Sequence, residues 1–177
     1  MPEVILYIAA SLDGYIARKD GGIDWLAGVE RPDTDYGYAE FYRSIDAALM
    51  GRKTWELALS FGEWPYPGKP SVVFTRQKLT SERADVTFTS ATPEAVLADL
   101  AARGVKRAWL VGGAELVAAF QKERLIDEYI VSVIPVILGA GIPLFLPTGV
   151  EQGLELVDSQ RYPSGLVQMT YRAASAA

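Results

Sequence analysis

The sequence contains no cysteine and no histidine. Without cysteine, the chain can form no disulfide, no thiolate nucleophile and no thiolate metal ligand. Without histidine, the Ser-His-Asp and Cys-His mechanisms and the commonest zinc sites are also excluded. Any acid–base chemistry must therefore use carboxylates, tyrosine, lysine or water, and we expect no metal site. The absence of cysteine also suits the reducing cytoplasm, where we expect the protein to act.

The sequence is also short of positive charge and of long hydrophobic runs. Its 17 basic residues are outnumbered by 22 acidic ones, which gives a net charge of −5. A nucleic-acid binder would need a basic surface, so we expect no nucleic-acid partner. The first apolar run, from Val4 to Ala10, is far shorter than the roughly 20 residues needed to span a bilayer. We therefore expect no membrane segment.

Half of the 177 residues are hydrophobic, which is enough for one sizeable core. We predict a single domain over residues 1–173 and a flexible tail over 174–177. Apolar segments alternate with segments of helical spacing, which indicates an α/β fold with a mostly parallel central sheet. The predicted strands are 4–10, 47–50, 71–75, 86–89, 107–111 and 129–138. Two alternating segments, 154–161 and 166–172, predict an antiparallel pair at the C-terminal edge.

Helices are predicted over 35–45, 93–103 and 114–120, and a further one begins after Gly51. A long loop between the first strand and the first helix is interrupted by Trp25 and Leu26. Loops of this length inside a compact domain are usually functional or disordered. We expect this loop either to close over a ligand or to place Trp25 against the edge of the core.

Two of the predicted strand-to-helix junctions contain glycine. Gly112 and Gly113 follow one buried strand, and Gly51 follows another, with Arg52 and Lys53 directly after it. Glycine lets a ligand approach the backbone because it has no Cβ, and the N-terminus of the next helix attracts phosphate. Parallel strands place their carboxyl ends at one edge of the sheet, so the junctions should lie together. The pattern indicates a site for a phosphate-bearing ligand, although the glycines could also simply form tight turns.

The order of short motifs along the chain resembles the dihydrofolate reductase fold. These motifs are Ser11-Leu12-Asp13-Gly14-Tyr15-Ile16-Ala17, Trp25, Met50-Gly51-Arg52-Lys53-Thr54-Trp55-Glu56 and Val111-Gly112-Gly113. The segments 125–129 and 138–145 are typical of the reductase domain of the bifunctional deaminase–reductase of riboflavin biosynthesis, in its free-standing bacterial form. The resemblance implies a three-layer α/β/α fold, reduction of a small heterocyclic substrate by NADPH, and a homodimer. The apolar strand 129–138 is the suggested dimer contact.

The resemblance also assigns residues to the cofactor. In the family the bond between the paired glycines is cis, which implies a cis bond between Gly112 and Gly113. Folate reductases often carry arginine where this chain has Glu115, so the preference for NADPH over NADH stays open. The implied cofactor-binding residues are Ala10, Ile16, Ala17, Gly51, Arg52, Lys53, Thr54, Thr75, Arg76, Val111, Gly112, Gly113, Ala114, Glu115 and Leu116.

On the substrate side, Ser11, Asp13, Trp25 and Tyr38 are candidate substrate-binding residues. Asp35 is the candidate catalytic residue, because it is the nearest counterpart of the buried acid that binds the pterin in folate reductases. Structural alternatives stay open: Asp13 can form a turn, and Asp35 can cap the following helix. The proton could equally come from Tyr38 or from water.

Three functions follow from the resemblance. The first is reduction of the ribosylaminouracil phosphate of riboflavin biosynthesis or of a related heterocycle. The second is reduction of dihydrofolate or another pterin. The third belongs to a different class, a nucleotide-binding dimer that has kept the fold without turnover.

Overall fold

The computed structural model describes residues 1–174. Its strands are β1 (Glu3–Ser11), β2 (Tyr15–Ala17), β3 (Ala47–Gly51), β4 (Ser71–Phe74), β5 (Val86–Thr89), β6 (Arg107–Gly112), β7 (Glu128–Ile134), β8 (Ile142–Pro143), β9 (Leu154–Arg161) and β10 (Val167–Ala173). Its α-helices are α1 (Tyr38–Ser44), α2 (Arg52–Leu59), α3 (Pro93–Ala102) and α4 (Ala114–Lys122), and a 3₁₀ helix spans Asp24–Val29. Residues 175–177 of the predicted flexible tail lie outside the described residues. Ala174 donates its N–H to the carbonyl of Gly153 at 2.9 Å.

Eight of these strands form one sheet in the order β5-β4-β3-β6-β1-β7-β10-β9. All neighbours from β5 to β7 are parallel, whereas β10 pairs antiparallel with both β7 and β9. The prediction of a mostly parallel sheet with an antiparallel C-terminal edge is therefore confirmed. The short strands β2 and β8 form a separate antiparallel ribbon.

Helices cover both faces of the sheet, because successive side chains of a strand point to opposite faces. On one face, Leu100 of α3 and Phe120 of α4 pack in the same buried cluster as Leu110 of β6. On the other face, α1 and α2 contribute to a second cluster that contains Phe41 and Trp109. The result is the predicted three-layer α/β/α arrangement.

Two predicted boundaries are wrong, each for a local reason. The helix predicted to begin at Asp35 begins at Tyr38, because Gly37 adopts a φ of 80° that the helix cannot include. The apolar strand predicted to reach Leu138 ends at Ile134. Pro135 follows, and proline has no N–H with which to continue the ladder of hydrogen bonds.

The sheet ends at β9, an edge strand whose eight residues are all exposed. Leu154, Leu156 and Val157 on this strand are 42%, 58% and 53% exposed. The strand suggested as the dimer contact, β7, lies between β1 and β10 and has no unpaired edge. A second copy could extend the sheet at β9 but not at β7.

None of the helices in residues 1–174 has the length and hydrophobicity needed to cross a membrane.

Candidate active site

The carboxyl ends of β4, β3, β6 and β1 lie side by side at one edge of the sheet. These strands are adjacent and parallel, with Gly51 paired to Phe74 and Met50 paired to Gly112. The edge therefore brings together most of the residues predicted to bind a cofactor. They are Ala10, Gly51, Arg52, Lys53, Thr54, Thr75, Arg76, Val111, Gly112, Gly113, Ala114, Glu115 and Leu116, and Ser11, predicted to bind the substrate, adjoins them.

The two glycine junctions are in contact at the centre of this edge. A Cβ placed on Gly51 would lie 3.8 Å from both the Gly112 carbonyl oxygen and the Gly113 nitrogen. A Cβ placed on Gly113 would lie 3.6 Å from Oγ1 of Thr54. The bond between Gly112 and Gly113 is cis, as the resemblance implies. This peptide therefore rests directly against the start of α2.

Both helices that begin at these junctions lack a side-chain cap. Gly51 is the N-cap residue of α2 and Gly113 that of α4, and neither has a side chain that could accept a hydrogen bond. In contrast, the Thr92 hydroxyl caps α3 by accepting the N–H of Ala95 at 3.4 Å. The first N–H groups of α2 and α4 are thus left for another acceptor, and both helix dipoles present their positive ends. An anion at this edge would satisfy both helices.

Positive side chains follow the same strands. Within residues 1–174, Lys53, Arg76 and Lys78 form no ion pair with a carboxylate. Arg52 instead pairs with Glu56 one turn later in α2. Glu115 is exposed in the first turn of α4, where its negative charge opposes a phosphate. The balance of charge at the edge therefore favours an anion but is weakened by Glu115.

Several predicted cofactor residues offer little side-chain surface. Ala10, Ala17, Ala114 and Leu116 are each at most 8% exposed, and Ile16 packs against the core cluster under α4. A ligand at this edge would meet these residues mainly through their backbone. Their side chains instead pack towards the protein interior.

Beside this edge, on the face where α1 packs, part of the sheet is not fully covered. Central strands with helices on both faces are normally buried. Nevertheless, Tyr7 and Ala9 of β1 and Val111 of β6 are partly exposed. The ring of Tyr38 from α1 lies 6.2 Å from that of Tyr7, and the side chain of Gln168 on β10 contacts the Tyr7 hydroxyl at 3.5 Å. We call this region, defined by Tyr7, Ala9, Tyr38, Val111 and Gln168, the tyrosine crevice.

The two tyrosine hydroxyls of the crevice are held in their protonated form. Burial raises the pKa of Tyr7 to about 12, and burial also raises the pKa of Tyr38. At neutral pH both hydroxyls can therefore donate hydrogen bonds to a ligand.

Asp35, the candidate catalytic residue, lies just before α1. Its carboxylate accepts the N–H groups of Ala39 at 2.9 Å and Gly37 at 3.0 Å. These backbone hydrogen bonds lower the pKa of Asp35 below its usual value. These hydrogen bonds support the alternative role of Asp35 at the start of the helix, and its catalytic role stays a prediction.

Ser11 and Asp13 join the end of β1 to the loop that follows β7. The Ser11 hydroxyl donates to the Asp13 carboxylate at 2.6 Å, and the same carboxylate accepts the N–H groups of Leu138 at 3.1 Å and Gly139 at 2.7 Å. The hydrogen bond from Ser11, with those from the two backbone groups, lowers the pKa of Asp13. Both side chains thus have structural partners, and their contact with a substrate stays a prediction.

Trp25 packs at the edge of the core. It is 7% exposed and shares a buried cluster with Val29, Ile134 and Leu166, and Ala9 of the tyrosine crevice packs against the same cluster. Its indole N–H is buried without a hydrogen-bond partner in the described part of the chain. Buried donors are usually satisfied. Contact between Trp25 and a substrate stays a prediction.

Comparison with known proteins places this arrangement in a family. The family profile described as the RibD C-terminal domain matches residues 2–168. The chain belongs to the RibD C-terminal domain family. The uncharacterized protein YwjB of Bacillus subtilis is 41% identical over 170 residues, which cover 96% of this chain and 97% of YwjB.

Solved structures agree with the assignment to the RibD C-terminal domain. A Shewanella sp. PV-4 protein that is provisionally named a riboflavin biosynthesis protein is 33% identical, with a TM-score of 0.90 over 98% of this chain and 99% of that one. The deaminase–reductase of Thermotoga maritima is 17% identical with a TM-score of 0.74, and this likeness shows the fold alone. The alignment covers 98% of this chain and 57% of the Thermotoga chain.

Some residues at the candidate site of this RibD C-terminal domain could not be identified from the sequence. Tyr7 lies inside a continuous apolar run, where nothing distinguishes it from a core residue. Gln168 is 161 positions away and meets Tyr7 only because β10 pairs with β7, which in turn pairs with β1. The uncapped helices, in contrast, could have been inferred from glycine at both N-cap positions.

Replacement of Asp13 tests the junction between β1 and the loop after β7. We expect Asp13→Asn to lower the free energy of unfolding at neutral pH, because an amide cannot accept all the hydrogen bonds that the carboxylate accepts. Because the pKa of Asp13 is lowered from 3.8, its stabilising effect is present above that pH and is lost as the pH falls through the folded-state pKa. Urea unfolding of both proteins at several pH values measures the difference.

The difference in stability between wild type and Asp13→Asn should therefore narrow in acid. Asp33→Asn is the matched control, because Asp33 is exposed and its side chain makes no hydrogen bond within residues 1–174. A difference that stays constant down to the most acidic pH would contradict the role assigned to the carboxylate.

Proposed function

We propose that this protein is a reductase that transfers a hydride from NADPH to a small heterocyclic substrate. The observation that carries the proposal is the meeting of two uncapped helix N-termini, those of α2 and α4, at the Gly112–Gly113 peptide. Such a place binds phosphate through backbone N–H groups and helix dipoles. Membership of the RibD C-terminal domain family supports a reductase-type activity.

The residues at this edge fit a dinucleotide. Its diphosphate would lie at Gly51, Gly112 and Gly113, where no Cβ obstructs the approach of a ligand to the backbone. Arg76 and Lys78 follow β4 beside this point and would bind the 2′-phosphate of the adenosine. When bound, NADPH supplies the hydride.

The tyrosine crevice would hold the substrate beside the nicotinamide. Val111 belongs to the crevice and directly precedes the glycine pair, so the two sites adjoin. Its aromatic side chains would orient a ring and exclude water, which are the main contributions of a protein to hydride transfer. Asp35, Tyr38 and water are the candidate sources of the proton that accompanies the hydride.

Two substrates are to be compared directly. The ribosylaminouracil phosphate is favoured by membership of a family named after a riboflavin protein. Dihydrofolate, reduced by enzymes of the dihydrofolate reductase fold, is the alternative substrate. The cytoplasmic location expected from the lack of cysteine stays a prediction.

We further propose a homodimer in which β9 of one copy pairs with β9 of another. A fully exposed edge strand with unpaired backbone groups is a template for strand addition. Leu154, Leu156 and Val157 add exposed hydrophobic surface to that edge. Paired copies would extend the sheet and cover these side chains.

The reductase activity is tested by the loss of NADPH absorbance with each candidate substrate. We expect Arg76→Ala to raise the KM for NADPH about tenfold and to leave that for NADH unchanged, because it removes one charge-assisted contact to the 2′-phosphate. Glu115→Gln should lower the KM for NADPH, because it removes a repulsive charge without changing the shape of the side chain.

Arg103→Ala is the control for Arg76→Ala, since Arg103 pairs with Asp99 at the far end of α3. If Arg76→Ala raised the KM for NADPH and the KM for NADH equally, Arg76 would not recognise the 2′-phosphate. Tight binding of NADPH without oxidation by any substrate would favour the nucleotide-binding dimer without turnover.

The dimer is tested by sedimentation equilibrium. We expect Leu156→Lys to convert the dimer to a monomer, because a charge at this position would be buried without a partner in the interface. Leu59→Lys changes an exposed leucine at the end of α2, and this variant should sediment with the mass of the dimer. A wild-type protein that is monomeric at all concentrations would refute the dimer.

A further inference from the structure

Helix α2 begins with two cations and no acid. Arg52 and Lys53 are its first two residues, and its first turn contains no carboxylate. The dipole of a helix makes the N-terminus positive, so cations are destabilised at that position. The uncapped N–H groups of the same turn add to the excess of positive charge. The start of α2 is therefore arranged for a negative partner rather than for the stability of the helix alone.

The ion pair between Arg52 and Glu56 is in the less favourable order for a helix. Arg52 pairs with Glu56 one turn later, but a pair at this spacing stabilises a helix more when the acid precedes the base. Asp99 and Arg103 of α3 form the same kind of pair in the favourable order, at the end of the helix where the dipole stabilises a cation. Helix stability thus accounts for Asp99 and Arg103 but not for Arg52 and Glu56.

The contact with Glu56 uses only one end of the Arg52 guanidinium. Nη1 of Arg52 donates to Oε1 of Glu56, whereas Nε and Nη2 donate to no group within residues 1–174. Nε and Nη2 together form an edge that can bind a carboxylate or a phosphate through two parallel hydrogen bonds. In Arg83 this edge is occupied, because Nε and Nη2 donate to the two carboxylate oxygens of Asp85. In Arg52 the same edge has no acceptor in the part of the chain that the structure describes.

Arg52 lies beside the place proposed for the diphosphate. It directly follows Gly51, which contacts the peptide between Gly112 and Gly113. The Arg52 side chain is 31% exposed and that of Glu56 is 47% exposed, so the arginine is the more covered of the two. A long side chain that is already held at one end loses less conformational freedom when a ligand binds than one that moves freely.

We propose that Glu56 is a positioning residue, which holds the Arg52 guanidinium through Nη1 and so presents its Nε–Nη2 edge to a phosphate group of the dinucleotide. This inference rests on the proposed function, because it concerns the same anion site. Glu56 does not contact the ligand. Its contribution is to fix the arginine before binding, which reduces the side-chain entropy lost when the phosphate binds.

The negative charge of Glu56 has a second effect, and the two effects predict opposite results. A carboxylate repels a phosphate, so if repulsion dominated, every variant without the charge would bind the dinucleotide more tightly. If positioning dominates, loss of the acceptor oxygen weakens binding, whereas loss of the charge alone does not. The Glu56 charge is paired with Arg52 and about half exposed, so solvent and salt screen its repulsion. We therefore expect positioning to dominate.

Calorimetric titration of wild type, Glu56→Ala and Glu56→Gln with NADPH tests the proposal. We expect Glu56→Ala to bind about fivefold more weakly, because a freely moving arginine must then be immobilised on binding. Glu56→Gln keeps an oxygen that can accept from Nη1, so its Kd should stay within about twofold of the wild-type value. Asp99→Ala is the matched control, because it breaks the equivalent pair on α3 and should leave the Kd unchanged.

A double-mutant cycle with Arg52→Ala measures whether Glu56 acts through the arginine. We expect Arg52→Ala to weaken NADPH binding about tenfold and Glu56→Ala to have no further effect in that background. Parallel titrations with NADH identify the phosphate group. An equal loss for both dinucleotides places Arg52 on the diphosphate, and a loss for NADPH alone places it on the 2′-phosphate. Thermal unfolding confirms that each variant is folded.

The proposal is overturned if Glu56→Ala binds NADPH as tightly as wild type or more tightly, or if Glu56→Gln loses as much affinity as Glu56→Ala. It is also overturned if Glu56→Ala still weakens binding in the Arg52→Ala background, or if Asp99→Ala weakens binding equally. Failure of the proposed function gives a different result. NADPH binding that depends on Glu56, without oxidation by either substrate, refutes the reductase alone; NADPH oxidation with a Kd that does not respond to Glu56→Ala refutes the positioning role alone.

Discussion

Parallel pairing of β4, β3, β6 and β1 is the constraint on which the candidate site depends. The pairing places four carboxyl ends in a row and sets Gly51 against Gly112 and Gly113. Helices α2 and α4 then start from that contact, on opposite faces of the sheet, with their N–H groups uncapped. A Cβ at Gly51 would lie 3.8 Å from the peptide between Gly112 and Gly113, and one at Gly113 would lie 3.6 Å from Oγ1 of Thr54, so these glycines keep the two junctions in close contact. The proposed anion site thus depends on the strand order rather than on any single charged residue.

The same strands also define the neighbouring crevice. Val111 of β6 lies on the face covered by α1, and the next residue, Gly112, belongs to the anion site, because successive residues of a strand alternate between faces. The proposed sites for the dinucleotide and the substrate therefore adjoin. The two regions differ in residue type: the glycine junctions carry glycine and cations, and the tyrosine crevice carries tyrosine and glutamine. This adjacency is why we interpret the site as that of a reductase.

Much of the fold could be predicted from the sequence, because the buried parallel strands are continuous apolar runs and Thr92 and Pro93 mark the start of α3. The strand-to-helix glycines could also be recognised, since their position between an apolar run and a helix is local information. Other features depend on distant parts of the chain. Gln168 reaches Tyr7 only through the order of β10, β7 and β1. Likewise, the backbone N–H groups of Leu138 and Gly139 that donate to the Asp13 carboxylate lie 125 or more positions away.

The most direct test of the central claim is a calorimetric titration with NADPH of wild type and Gly51→Ala. At Gly51 a methyl group would be in ordinary contact, 3.8 Å from its nearest neighbours, so the variant should keep its melting temperature. Gly28→Ala, where nothing lies within 4 Å of the added Cβ, is the control. We predict that wild type and Gly28→Ala bind one NADPH per chain and that Gly51→Ala binds it at least about tenfold more weakly. No binding by wild type, or equal binding by Gly51→Ala, would contradict the account.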